Sequence, residues 1–218
     1  MGFSFLGMAL LRATLPDEPW RHAIESFGYS LGFIIVILGR QQLYTESTLT
    51  AVLPALTNPS WAAVSRTARL WAIVLSANLL GTVLFAALIL PEPAFSPEIR
   101  AALLQISREG VSGSFGPDLL RAVLAGWMIA LMVWLLPNAG SAKILVIALL
   151  TYIVSLGHFP HIVAGSADAI FAVFTGQVPF GNYLLHFLVP TLIGNTIGGT
   201  SLVALLNHAP VAGELKDM

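Results

Sequence analysis

The chain has no cysteine, and charged residues make up only 10% of its 218 positions. The first absence removes disulfide scaffolds, thiolate metal sites and cysteine nucleophiles, and it leaves the redox compartment open. The second argues against an ordinary soluble domain, which carries about 25% charged residues. A basic patch or tail to hold nucleic acid is missing too, since ten Lys and Arg stand against eleven Asp and Glu for a net charge of -1. Met1 to Leu11 lacks the basic region that precedes a secretory signal core, so this apolar start reads as part of a membrane span. What the chain does have is 56% hydrophobic residues and a mean hydropathy of +0.83. It reads as one all-α transmembrane domain over 1–218, multi-pass, with lipid around it, no cofactor and no metal. The five histidines are the main candidates for titration near neutrality.

Spans follow from apolar runs and their breakers. About eleven apolar residues at the start cover half of a roughly 30 Å hydrocarbon core at about 1.5 Å per residue. The first span therefore looks cut short, with a true N-terminus expected upstream of Met1. After a polar connection from Arg12 to His22, an apolar segment from Phe27 to Gly39 stops at Arg40-Gln41-Gln42. A loop Leu43-Tyr44-Thr45-Glu46-Ser47 follows, and helix-like sequence resumes from Thr48 to Leu56 before Asn58-Pro59 closes it. Leu70 to Leu90 is uninterrupted and long enough for one crossing. Pro93 to Asp118 is a polar external connection with an amphipathic piece near Ile99 to Ile106. Ala122 to Leu136 is the fourth span, extended toward Leu119 if Arg121 snorkels. The fifth, Ala142 to Gly157, meets His158-Phe159-Pro160-His161 and continues from Ile162 to Phe174. Proline removes a backbone donor, so this segment is broken as well. Phe180 to Leu206 is the sixth.

The order is whole, broken, whole, then whole, broken, whole. Breaks at corresponding positions of two halves point to an inverted 3+3 repeat, about 1–90 and 119–206, with the solute path between the halves. Interrupted backbone survives at membrane depth only where it faces protein or water, which sets both loops beside a conduit.

Several side chains carry chemistry at those positions. Thr45 or Ser47 would cap the second half-helix, and Glu46 at membrane depth calls for a role or a partner. His161 opens the second half of segment five, where free N–H groups and the positive dipole end favour anions. Its imidazole is a donor for a weak-acid solute, or else it repairs the Pro160 break; His158 is the weaker candidate. Asp168, seven residues on, shares the His161 face or lies near the far interface. Gly194 and Gly198 have the spacing of a packing face, with Asn195 between them as a pore-lining donor. Gly165-Ser166-Ala167 with His186 on the next span is a remote pattern for an intramembrane serine protease. A water or small neutral solute channel fits the same architecture.

The Leu-Tyr-Thr loop, Gly157 to His161, and Gly194-Asn195-Thr196-Ile197-Gly198-Gly199, in this order, resemble the formate/nitrite transporter family, and within it the YfdC-like branch. The resemblance implies an aquaporin-like protomer in the inner membrane, assembled as a homopentamer with one pore per subunit. It implies passage of small monovalent anions such as formate or nitrite through two apolar constrictions flanking His161. Leu43, Tyr44, Thr45, Asn195 and Val133 would form the cytoplasmic constriction, and Tyr29, Phe33 and Val154 the outer one. Glu46 stands where many members have a small residue, Ala130 where they have asparagine, and Asp168 where they are apolar. A carboxylate beside an anion path repels the solute unless it is protonated or paired, which brings proton-coupled, cation or neutral-solute transport into view. Arginines and lysines fall on both sides of the implied topology, so charge bias gives no orientation.

Overall fold

The computed structural model describes residues 1–52 and 60–214. It is all-helical, with no strand among the described residues. The helices are α1 (Gly2–Thr14), α2 (Arg21–Leu38), α3 (Tyr44–Thr50), α4 (Trp61–Leu88), α5 (Pro97–Gly110), α6 (Phe115–Leu135), α7 (Lys143–Leu156), α8 (Ala164–Phe174) and α9 (Val189–Glu214). One π-helical stretch, Tyr183–Leu188, leads into α9. Helices α2, α4 and α6 are long and apolar enough to cross a membrane, while α1, α7 and α8 are shorter apolar helices. On α4 the apolar side chains face outward, with Trp61 84% and Leu88 73% exposed, which suits a lipid or subunit boundary and not water. The expected amphipathic piece is α5, and the fourth span begins earlier than its apolar run, at Phe115. The expected end of the first broken segment, Leu56 with Asn58-Pro59, lies outside the described residues.

Both breaks exist, and they are built alike. Helix α2 ends at Gly39, whose N–H reaches the Ile35 carbonyl; Arg40 then turns left-handed at φ 53°, and the Gln41 N–H reaches back to the Val36 carbonyl. Helix α7 repeats each step: Gly157 to Ile153, His158 at φ 49°, and Phe159 to Val154. Each is a Schellman-type termination with a side-chain-bearing residue in the position glycine usually takes. Gly39 and Gly157 are thus structural equivalents 118 residues apart.

An asparagine from another helix then closes each gap in the same way. Asn78 of α4 accepts from the Tyr44 N–H at 2.9 Å and donates to the Gln42 carbonyl at 3.1 Å. Asn195 of α9 accepts from the Ile162 N–H at 2.8 Å and donates to the Pro160 carbonyl at 3.0 Å, and also to the Ala122 carbonyl of α6 at 2.9 Å. Each amide replaces the hydrogen bonds that a continuous helix would have supplied.

The first break is shorter than expected. Tyr44 to Ser47 are helical, because extended Leu43 opens α3 and Asn78 takes the exposed Tyr44 N–H. Neither Thr45 nor Ser47 caps the half-helix; the Ser47 hydroxyl donates backward to the Leu43 carbonyl.

Packing brings the two breaks together at the centre. Helices α2 and α7 run against each other through hydroxyls, with Thr151 donating to Ser30 at 2.9 Å and Ser155 to Ser26 at 3.1 Å. Helix α6 lies along α9, where a Cβ on Gly194 would stand 2.5 Å from the Leu119 carbonyl oxygen. Gly194 and Gly198 therefore do form the packing face.

Replacing Asn195 by Leu strands three backbone groups in a fully buried position and is expected to cost on the order of 3 kcal/mol. Asn78 is only half-buried and bonds two groups, so Asn78→Leu is expected to cost about half as much. Thermal unfolding in detergent, followed by intrinsic fluorescence, checks both the losses and their order.

Candidate functional site

His161 is the junction of the two breaks. Its side chain is fully buried, and its Nε2 lies 2.8 Å from the Thr45 hydroxyl on α3. Its Nδ1 accepts from the Ala164 N–H at 3.1 Å and the Val163 N–H at 3.3 Å. Two donors aimed at Nδ1 leave the ring proton on Nε2, so the imidazole donates to Thr45. The edge of the ring meets Phe33, with centroids 5.1 Å apart at 77°.

This geometry corrects one expectation. The start of α8 does not offer free N–H groups to an anion: Ile162 donates to Asn195, Val163 and Ala164 donate to His161, and Gly165 donates to the His161 carbonyl. His161 thus repairs the break with Nδ1 and presents its proton to Thr45 with Nε2. The two roles weighed as alternatives in the sequence coexist in one side chain.

A cavity of about 420 Å³ with many polar side chains includes His161 in its lining. Tyr29 and Val154 line it, and the α8 face contributes Gly165 and Asp168. Tyr29 also rests on Phe33, with ring centroids 5.3 Å apart. The structure therefore gathers Tyr29, Phe33 and Val154 around the histidine. A second, largely apolar cavity of about 580 Å³ is lined by Leu43, Asn78 and Val163. Tyr44 stands beside Leu43, its hydroxyl 2.8 Å from that of Thr196. Val133 packs against Leu49 and Ala130 and also borders the main core that holds Leu43 and Tyr44. Asn195 has both amide hydrogens and its oxygen engaged by backbone groups, so its contribution is to hold the Pro160 break in shape. Glu46, half-buried in the first turn of α3, and Asp168 have no salt bridge among the described residues.

At the rim of the polar cavity stands a charge cluster that the sequence did not disclose. Arg12 of α1 grips Glu25 of α2 with two bonds, at 2.6 and 2.8 Å, and reaches Glu109 of α5 at 2.8 Å. The His22 Nδ1 lies 3.0 Å from the same Glu25, and the His22 ring stacks on His158 with centroids 4.3 Å apart and planes 4° from parallel. Arg121 faces Asp118 at 3.3 Å. The one available signal was Arg12 and Glu25 flanking apolar runs; the pairing with Glu109 spans 97 residues and has no local trace.

Ser166 and His186 do not form a protease pair. Ser166 is buried and bonded to the Tyr183 hydroxyl at 3.1 Å, whereas His186 is exposed at the surface.

Membrane-length helices, two matched breaks and a cavity lined in part by a buried histidine fit a membrane transport protein. Residues 1–209 match the family model described as formate/nitrite transporter, and the chain belongs to that family. It is 40% identical over 217 residues to the inner membrane protein YfdC of Escherichia coli (strain K12), covering 100% of this chain and 70% of the relative. Against the formate channel FocA of the same organism it is 27% identical over 207 residues, covering 81% and 70%. A solved pentameric formate channel with formate bound has the same fold, with a TM-score of 0.82 at 21% identity over 97% of this chain and 92% of that one. An FNT family ion channel gives 0.75 at 18% identity over 100% and 86%. The chain is a multi-pass integral protein of the inner membrane.

Arg12 and Glu25 are both nearly inaccessible, with side chains 7% and 1% exposed, while Glu109 is 55% exposed. Arg12→Gln leaves Glu25 buried without its charge partner and is expected to destabilise the fold by about 3 kcal/mol or more. Glu109→Gln removes a solvent-screened partner and is expected to cost less than about 1 kcal/mol. Melting temperatures of the two variants, measured side by side in detergent, check the contrast.

Proposed function

We propose that the chain is a channel-like transporter of small monovalent weak-acid anions, formate or nitrite or a close analogue, working as a homopentamer with one path per subunit. The six segments are read as an inverted 3+3 repeat, and the solute path runs between the halves. The observation that carries the reading is the 2.8 Å contact between Thr45 of the first break and His161 of the second, with His161 also lining the polar cavity. Family membership supports the solute class. The equivalent terminations at Gly39 and Gly157, each followed by an asparagine clamp, support the repeat.

In this reading Tyr29, Phe33 and Val154 narrow the path on the polar-cavity side, and Leu43, Tyr44 and Thr45 narrow it on the other. Val133 and Asn195 back the second constriction from behind, as packing and as a clamp. A bare carboxylate entering such an apolar ring loses several kcal/mol of hydration, whereas the neutral acid loses far less. The anion therefore gains a proton near His161 and crosses as the acid. His161 contributes a fixed N–H dipole through Thr45, and its seat leaves no free lone pair for the solute while Nδ1 caps α8.

Purified protein in vesicles is expected to carry formate, nitrite, acetate, lactate or hydrosulfide faster than protein-free vesicles, with a preference that sharpens at low pH, and to leave glycerol swelling unchanged. His161→Asn is expected to cut that flux by about tenfold or more, because it removes the N–H aimed at Thr45 and the acceptor at the start of α8. Unchanged flux and unchanged pH dependence in His161→Asn would remove the histidine from the mechanism. Glycerol-driven swelling without anion uptake would replace the anion reading by a neutral-solute one. Light scattering of the detergent complex is expected to give five copies.

A further inference from the structure

The polar cavity holds more carboxylate than its cations can balance. Arg12 is taken by Glu25 and Glu109, and Arg121 by Asp118. His22 serves Glu25 and stacks on His158, and Tyr29 brings a neutral phenol from α2. Asp168 of α8 lines the same cavity with no ion pair among the described residues. Its Oδ2 lies 3.8 Å from where a Cβ on Gly110 would be, so the carboxyl faces the C-terminal end of α5. That end carries the negative pole of the helix dipole and offers no compensation for a second negative charge.

Asp168 and His161 line the same cavity, seven residues apart in the chain. Gly165 lies between them with the Phe187 ring seated on it, where a Cβ would stand 2.6 Å from the ring. A solute travelling from Asp168 to His161 therefore passes an aromatic ring. With Asp168 ionised, a monovalent anion at about 6 Å in an effective dielectric near 20 is disfavoured on the order of a hundredfold. His161 cannot relieve this directly, since both of its nitrogens are engaged.

We propose that Asp168 is the charge-selecting and proton-donating residue of this cavity, so that the chain moves a weak acid together with its proton and not the bare anion. The inference rests on the anion-transport reading above. The Asp168 carboxyl gives its proton to the carboxylate of the solute: one O–H bond breaks on Asp168 and one forms on the solute. The neutral acid moves on past Phe187, and a proton from the bulk, passed from hydronium through water at the cavity mouth, restores the carboxyl left behind. Net charge moved is zero.

The test uses full-length protein in vesicles, formate as the probe, an internal pH dye, and a potential set to zero or inside-negative with potassium and valinomycin. Rates are taken above protein-free vesicles. Wild type is expected to take up formate with one proton, at the same rate at both potentials, and about tenfold more slowly per unit rise in pH where the proton is limiting. Asp168→Asn is expected to become sensitive to potential and to lose most of the pH slope, and Asp168→Glu to keep the wild-type pattern. A wild-type formate uptake rate that differs between the two potentials overturns the proposal whatever the variants do. So does a wild-type profile in Asp168→Asn, or a potential-sensitive one in Asp168→Glu; either leaves the anion-transport reading standing. If Asp168→Asn does not assemble, wild type and Asp168→Glu decide. Wild-type flux no faster than protein-free vesicles overturns the transport reading and this inference with it.

Discussion

A peptide group inside hydrocarbon must be hydrogen-bonded, and two asparagine side chains meet that demand where this chain leaves the helix. Asn78 and Asn195 each accept from the first N–H after a break and donate to the carbonyl two residues before it. Without them, the gaps would expose unpaired backbone at membrane depth, at a cost the fold could not carry twice. Everything at the centre depends on those gaps being held open in a fixed shape. The loops bring Thr45 and His161 within hydrogen-bond distance, and His161 also lines the cavity.

The central histidine gains a definite chemical state from the same constraint. Because α8 begins just after a proline, its first N–H groups need acceptors, and the Nδ1 of His161 supplies one. The proton is thereby fixed on the opposite nitrogen, pointing across to the other half of the chain. Repair of the break and donation to Thr45 are one arrangement of a single ring. Between the rim and this ring, the cavity passes from a crowded set of ion pairs to an aromatic lining, so the medium changes from one that tolerates charge to one that does not.

Much of this was legible in the sequence because broken membrane segments leave strong marks. Arg40-Gln41-Gln42 inside an apolar stretch and His158-Phe159-Pro160-His161 inside another located both gaps, and the residues around them included His161, Thr45 and Leu43. Less visible was where helix resumes. Tyr44 to Ser47 looked like loop because their polar groups suggested caps, and the acceptor that lets α3 start early sits on α4, 34 residues away. Asn78 itself is one of several polar residues in a 28-residue helix, and nothing local distinguishes it from the others. The Arg12–Glu25–Glu109 cluster escaped for the same reason: charges near span ends are common, and their mutual contacts are decided by packing. Asn195 was noticed, yet its surroundings were needed to show that its amide faces backbone on every side.

The stretch joining the two halves is more than a tether. Helix α5 rests on α1 and α8, and its Glu109 is bonded to Arg12, which in turn is locked to Glu25. An exposed turn around Glu92–Ala94 precedes α5. A chain severed there would still present the second half with a helix already seated on the first, so two separately made fragments have a ready surface on which to reunite. Covalent continuity at that turn sets the stoichiometry of the halves, while side-chain contacts set their alignment.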